Sequence, residues 1–217
     1  MFDEVLRAWK RSGLLKIALN KTIEMLEISK EMFNSALRMM IDVGAIEDLY
    51  AIDRKLNEYQ MDIRKKILEH LAINPAVDVP ASLVLVTIVV DIERIGDYSK
   101  NLVELARHYP EPLQGKYFDR IREMENKVSD MFPEVIESFK KGDKEKAKDI
   151  MEKHAKIAKE SDFIIDHLIE DVKITAKDGI IAALLSRYLK RVSAHLKNVA
   201  SSVVNPFHRI GYKPEED

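Results

Sequence analysis

The chain has 217 residues and no cysteine, so disulfides and thiolate metal sites are excluded. That absence fits a reducing compartment, and a cytoplasmic location is expected. Glycine and proline number only 7 each, too few turn residues for a molecule built of short strands. Neither sign of charge dominates. Lys+Arg is 35 against Asp+Glu 37, a net charge of −2, and such a surface lacks the positive footprint that nucleic-acid binding needs. No nucleic-acid partner is expected. Long apolar runs are missing too: the most apolar stretch, Ala81 to Val90, is about half of the roughly twenty residues that a spanning helix requires. Arg7, Lys10, Arg11 and Lys16 interrupt any apolar segment near the N-terminus, so neither a secretory leader nor a membrane span is expected. Also absent are Glu-x-x-His pairs, a Gly-rich phosphate loop and a nucleophile elbow. Their absence argues against a ferritin-like di-iron oxidase, an NTPase and a hydrolase, and the expected role is binding, not catalysis.

What is present is helical. Hydrophobic residues make up 46% and charged residues 33%, a composition of long amphipathic helices. Periodicity and breakers predict six. The first runs from Gly13 to Val43, with Ile23, Leu26, Phe33, Leu37 and Met40 on one face and Gly44 as its stop. The second runs from Ala45 to Ile73 and halts at Asn74-Pro75; the third starts near Pro80 and ends before Pro110 and Pro112. After a loop from Glu111 to Gly115, the fourth covers Tyr117 to Lys140, with a kink or break expected at Pro133. Gly142-Asp143 opens the fifth, which reaches Thr175. Lys177-Asp178-Gly179 reads as a turn, and the sixth ends at Val204. The tail from Phe207 to Asp217 reads as loose. A short lead segment carrying Val5, Leu6 and Trp9 precedes the first helix, and capping of the bundle is its preferred role over docking on a partner.

The six helices fall into two copies. Arg94 and Arg191 are 97 positions apart, as are Asn101 and Asn198, within the similar strings beginning at Ile92 and Leu189. Asp62 and Asp162 match at an offset of 100. The fold class read from this is all-α, two tandem antiparallel three-helix bundles, with residues 1–112 as the first repeat and 113–217 as the second. Glu93 and Asp97 stand one helical turn apart, with Asn101 continuing their strip. Two carboxylates bordering an apolar face need a counter-charge. Salt bridges to Arg94, Lys100 or a neighbouring lysine would supply it, as would a bound cation with oxygen ligands.

The string Asp91-Ile-Glu-Arg-Ile-Gly-Asp97-Tyr-Ser-Lys-Asn101 resembles the third-helix signature of the PhoU family. Asp53-Arg-Lys-Leu-Asn57-Glu-Tyr-Gln-Met-Asp62 is similar to that family's acidic stretch on the second helix, and Ser186-Arg-Tyr-Leu-Lys-Arg191-Val-Ser-Ala-His195-Leu-Lys-Asn198 to its second-repeat signature. The resemblance implies a regulator of phosphate uptake and phosphate-responsive signalling, with a phosphate transporter subunit or a sensor kinase as partner. It also implies iron or zinc held by acidic motifs. Carried over, the metal-site positions are Asp53, Asn57, Glu93 and Asp97, with Asn57 in place of an acid. The second repeat departs further: Lys190 and Ala194 replace two acids, and Lys153 and Ile157 occupy the matching fifth-helix positions. At most one metal site is therefore expected, in the first repeat. Lys190 is expected to stand in for the cation in the second, and Arg94, Asn101, Arg191 and His195 to support the sites. Family relatives also suggest an accessory bundle of an ion channel or sodium–phosphate symporter as the alternative, with metal storage behind it. A homodimer is the expected assembly.

Overall fold

A computed structural model of the chain describes residues 2–41, 48–74, 78–108 and 114–214. Among these residues there are seven α-helices and no strand: α1 Phe2–Arg11, α2 Gly13–Ile41, α3 Leu49–Ile73, α4 Val79–Arg107, α5 Lys116–Lys141, α6 Lys144–Glu170 and α7 Ala176–Val204. No described helix is long and apolar enough to cross a membrane. The expected stops at Gly44, Pro75, Pro110 and Pro112, and most of the 111–115 loop, lie outside the described residues.

Local chemistry sets the ends that can be seen. The Asp48 carboxylate accepts from Ala51 N–H at 2.9 Å and starts α3; Asp143 accepts from Lys146 N–H at 3.0 Å and starts α6. Gly142 closes α5 at φ 71°, in the left-handed region that glycine enters without a Cβ penalty. Three expectations need correction. α5 runs unbroken through Pro133, whose ring is exposed while Phe132, Val135 and Ile136 are buried, so core packing on the inner face carries the helix across. The Lys177–Gly179 turn is instead the first turn of α7. The Thr175 hydroxyl accepts from Asp178 N–H at 3.1 Å and caps it, and α6 has already ended at Glu170. The tail is not loose as far as residue 214. It makes a 3₁₀ turn over Phe207–Arg209, and Gly211 N–H donates to Ser201 Oγ at 2.7 Å. Asn205 Nδ2 also donates to the carbonyl of Tyr212 at 2.7 Å, folding the tail back along α7.

The seventh helix is the lead segment. Phe2, Val5, Leu6, Ala8 and Trp9 are buried on one face of α1. Trp9 is fully enclosed: its indole N–H donates to the Ala81 carbonyl of α4 at 2.9 Å, and its ring lies 5.4 Å from Phe139 of α5. α1 thus touches both halves, which is a capping role.

Helices α2–α4 form one antiparallel three-helix bundle and α5–α7 the other. The halves meet along α4 and α7, and again along α2 and α5, where Phe33 and Phe132 pack at 5.3 Å. Across α4–α7 the contacts repeat with the duplication. Asp91 pairs with His195, and Tyr98 with Tyr188; each residue of the second pair is the 97-position match of a residue in the first. The two halves are therefore related by an approximate local two-fold axis running through this joint.

Candidate functional site

The predicted carboxylates converge where α3 crosses α4. Gly96 allows the approach: a Cβ there would stand 2.7 Å from Leu56 Cδ1 and 3.8 Å from Asp53 Oδ1. Asp53 is buried on α3 and faces Lys100 of α4, whose ammonium lies 2.9 Å from Asp53 Oδ1 and 3.1 Å from Asp97 Oδ1. One lysine thus ties the two helices together. Asn57 donates its amide N–H to Asp53 Oδ2 at 3.4 Å. Arg94 reaches Asp97 at 3.3 Å and Glu93 at 3.8 Å. Asn101 joins Tyr50, Arg94, Lys100 and Glu104 around a polar hollow of about 360 Å³ beside the cluster.

The charges respond to this arrangement. Burial works against the Lys100 ammonium, but hydrogen bonds to Asp53 and Asp97 outweigh it and hold its pKa above the ordinary lysine value. Glu93 moves the other way from a normal carboxylate. Burial first, and then the negative charge of Asp97, push its pKa up, with Arg94 opposing.

The matched region of the second repeat has other partners. Lys190 of α7 lies 2.6 Å from the exposed Asp162 of α6, so an ammonium again bridges two helices of a bundle. Lys153 pairs with Glu134, and Ile157 is buried in the core. Arg191 is exposed on α7 and joins no cluster among the described residues. His195 belongs to the joint between the repeats, not to the carboxylate cluster: its Nδ1 is 2.7 Å from Asp91 Oδ1, and its ring stacks on Tyr98. Asn198 donates to the same Asp91 oxygen at 2.7 Å.

A family model, PhoU domain, matches residues 22–106 and again 121–203. The chain belongs to the PhoU family. Both matches fall on the bundles described above. Among curated proteins the chain is 24% identical, over 79% of its own length and 74% of the other, to the phosphate-specific transport system accessory protein PhoU homolog of Pseudomonas aeruginosa. It is 22% identical to the protein of the same name from Deinococcus radiodurans, over 87% of this chain and 92% of that one. Its fold matches the crystal structure of PhoU from Pseudomonas aeruginosa with a TM-score of 0.80, covering 88% of this chain and 96% of that one at 21% identity. The phosphate transport system regulatory protein PhoU from Streptococcus pneumoniae matches at 0.77, covering 87% and 92% at 16% identity.

Within this PhoU chain the residues as arranged do not fit a resident iron or zinc ion. The Asp53 and Asp97 oxygens that would have to turn toward the metal are taken by Lys100, and Asn57 presents an N–H donor to Asp53 where a ligand oxygen is needed. Among the described residues no group of three or more His, Cys, Asp or Glu side chains is disposed to hold a metal ion.

Sequence reasoning did not single out Asp91 and Asn198 as a partly buried pair. The duplication gave no signal for it, since the matched positions, Tyr188 and Asn101, form no corresponding pair among the described residues. A third cluster, Ser12–His70–Asp78, has the residue types of a catalytic triad but not its geometry. Ser12 Oγ is 3.0 Å from His70 Nδ1, yet His70 Nε2 is 3.7 Å from Asp78, beyond hydrogen-bond length. Asp78 is instead held at 2.9 Å by Arg11, and this group ties the α1–α2 corner to the start of α4.

Proposed function

We propose that this PhoU protein regulates phosphate uptake and phosphate-responsive signalling by binding other proteins, with a phosphate transporter subunit or a sensor kinase as its partner. The observation that carries this reading is the double PhoU-domain match across both bundles, together with relatives named as phosphate-transport accessory proteins. The geometry is in keeping with binding. Among the described residues, the Asp53–Lys100–Asp97 cluster and the Asp91–His195–Asn198 group each join two helices. A partner with different affinity for two settings of the α3–α4 face would sense whatever shifts it.

The test is phosphate uptake by cells lacking the gene, followed by capture on the immobilised full chain. Uptake under phosphate-replete conditions should change by severalfold on deletion and return with the wild-type gene; uptake indistinguishable from the parent strain overturns the reading. Capture of a transporter ATPase or a sensor kinase supports the partner named here. Capture of an ion channel or sodium–phosphate symporter instead moves the assignment to an accessory bundle of that protein.

A further inference from the structure

We infer that this chain is a metal-independent member of its family: the cation that bridges α3 and α4 is the ammonium of Lys100, and its carboxylate cluster carries no resident iron or zinc. The inference rests on the family assignment and on the site, and not on the phosphate reading.

Three features of the site point the same way. The first is distance. A zinc or iron ion binds carboxylate oxygens at about 2.0–2.2 Å. Lys100 holds Asp53 Oδ1 and Asp97 Oδ1 at 2.9 and 3.1 Å, a normal spacing for charge-assisted hydrogen bonds to nitrogen. An ammonium and a dication cannot both sit among those oxygens without repelling each other. Lys100 would have to leave, and four-fifths of its side-chain surface is already covered.

The second feature is the donor set. Asn57 turns an N–H toward Asp53, and the only cation close to Glu93 among the described ion pairs is Arg94, at 3.8 Å. The third feature comes from the duplicate. Lys190 of α7 pairs with Asp162 of α6, at the positions equivalent to Glu93 and Asp62, while Lys100 joins α4 to α3 from another position. The chain has thus placed a lysine ammonium between the last two helices of each bundle, at two different positions. Each bridge is covalently supplied and needs no metal from the cell.

The experiment uses the full chain purified without a histidine tag. Elemental analysis should find less than about 0.1 iron or zinc per chain, and a chelator should leave Tm unchanged. Added Zn²⁺ should not raise the wild-type Tm. In Lys100→Ala the three acids lose their internal cation; Tm should fall, and added Zn²⁺ should restore part of it. Should that variant fail to fold, Glu93→Gln decides: Tm rises if lysine closes the site, and falls with loss of metal if Glu93 is a ligand. About one iron or zinc per wild-type chain, lost in Asp53→Asn or Asp97→Asn, overturns the inference. Metal analysis makes no use of phosphate uptake, so the two readings fail separately.

Discussion

Lys100 and Lys197 occupy matched positions in the two halves, 97 residues apart, yet the protein treats them in opposite ways. Lys100 lies between Asp53 and Asp97 and its pKa is raised. Around Lys197 the matching acids are replaced by Lys153 and Ala194. Its ammonium donates to the Gly211 carbonyl at 2.5 Å, and burial lowers its pKa, with only the more remote charge of Asp91 opposing. The duplication has kept the helices, their order and their joint. It has not kept the charges. A lysine's worth in a helix bundle is therefore set by what the facing helix offers, and the same residue closes one cluster and secures a folded tail in the other.

The largest expected effect breaks this comparison directly. Lys100→Met leaves the buried Asp53 without its cation and Asp97 with Arg94 alone, and unfolding in urea at pH 7 should show a loss of about 2–4 kcal/mol. That range sits below the full cost of a broken buried pair because part of Lys100 remains in solvent. Lys197→Met removes an ammonium that burial already disfavours, and stability should change by less than about 1 kcal/mol in either direction. Equal losses at the two positions would mean that the lysines act by packing their alkyl chains and not by charge.

A smaller effect is expected at the joint. Asp91→Ala strips His195 and Asn198 of a common acceptor, at a cost of about 2 kcal/mol. The two-fold-related contact is a ring pair, Tyr98 with Tyr188, at 5.9 Å. Tyr188→Phe keeps that ring and should cost less than about 0.5 kcal/mol. Chemical denaturation of the two variants side by side tests whether one end of the joint is polar and directional while the other is apolar and tolerant.

Much of the fold was legible because helix faces repeat at a fixed period and glycine and proline mark their ends. The bundle pattern, the duplication and the Glu93–Asp97 strip follow from spacing along helices, whereas Asp53 joins that strip only through the family resemblance. What was not legible depended on contacts between helices. Whether a lysine or a metal neutralises Asp53 cannot be read from the α4 string, since it turns on Gly96 letting Leu56 and Asp53 approach. The α7 start was misplaced because Lys177-Asp178-Gly179 looks like a turn, while the deciding hydrogen bond belongs to Thr175 two residues earlier. The tail was misjudged for the same reason. Its order comes from Ser201, Asn205 and Lys197, which lie on α7 and not in the tail's own composition.

An effect smaller than that of Asp91→Ala concerns pH and again sets one half against the other. His154 of α6 matches Arg54 of α3, an exposed arginine. In the second repeat the position faces inward: His154 Nδ1 is 2.9 Å from Ser193 Oγ, and burial first, then the positive charges of Lys197 and Lys190, push its pKa down to about 4. In the unfolded chain it would titrate near the ordinary histidine value. Between that value and about 4 the unfolded state binds the extra proton, so His154 contributes stability above the histidine range that is lost as pH falls toward 4. His154→Gln retains a partner for Ser193 and removes the titration. Wild type should lose on the order of 1 kcal/mol more than His154→Gln between neutral pH and pH about 4, a figure discounted for the exposed part of the ring. Arg54→Gln on the matched face of α3 should leave the acid profile unchanged. Parallel profiles for wild type and His154→Gln would place the acid sensitivity in carboxylates instead, and the contrast between the two halves would then be one of packing alone.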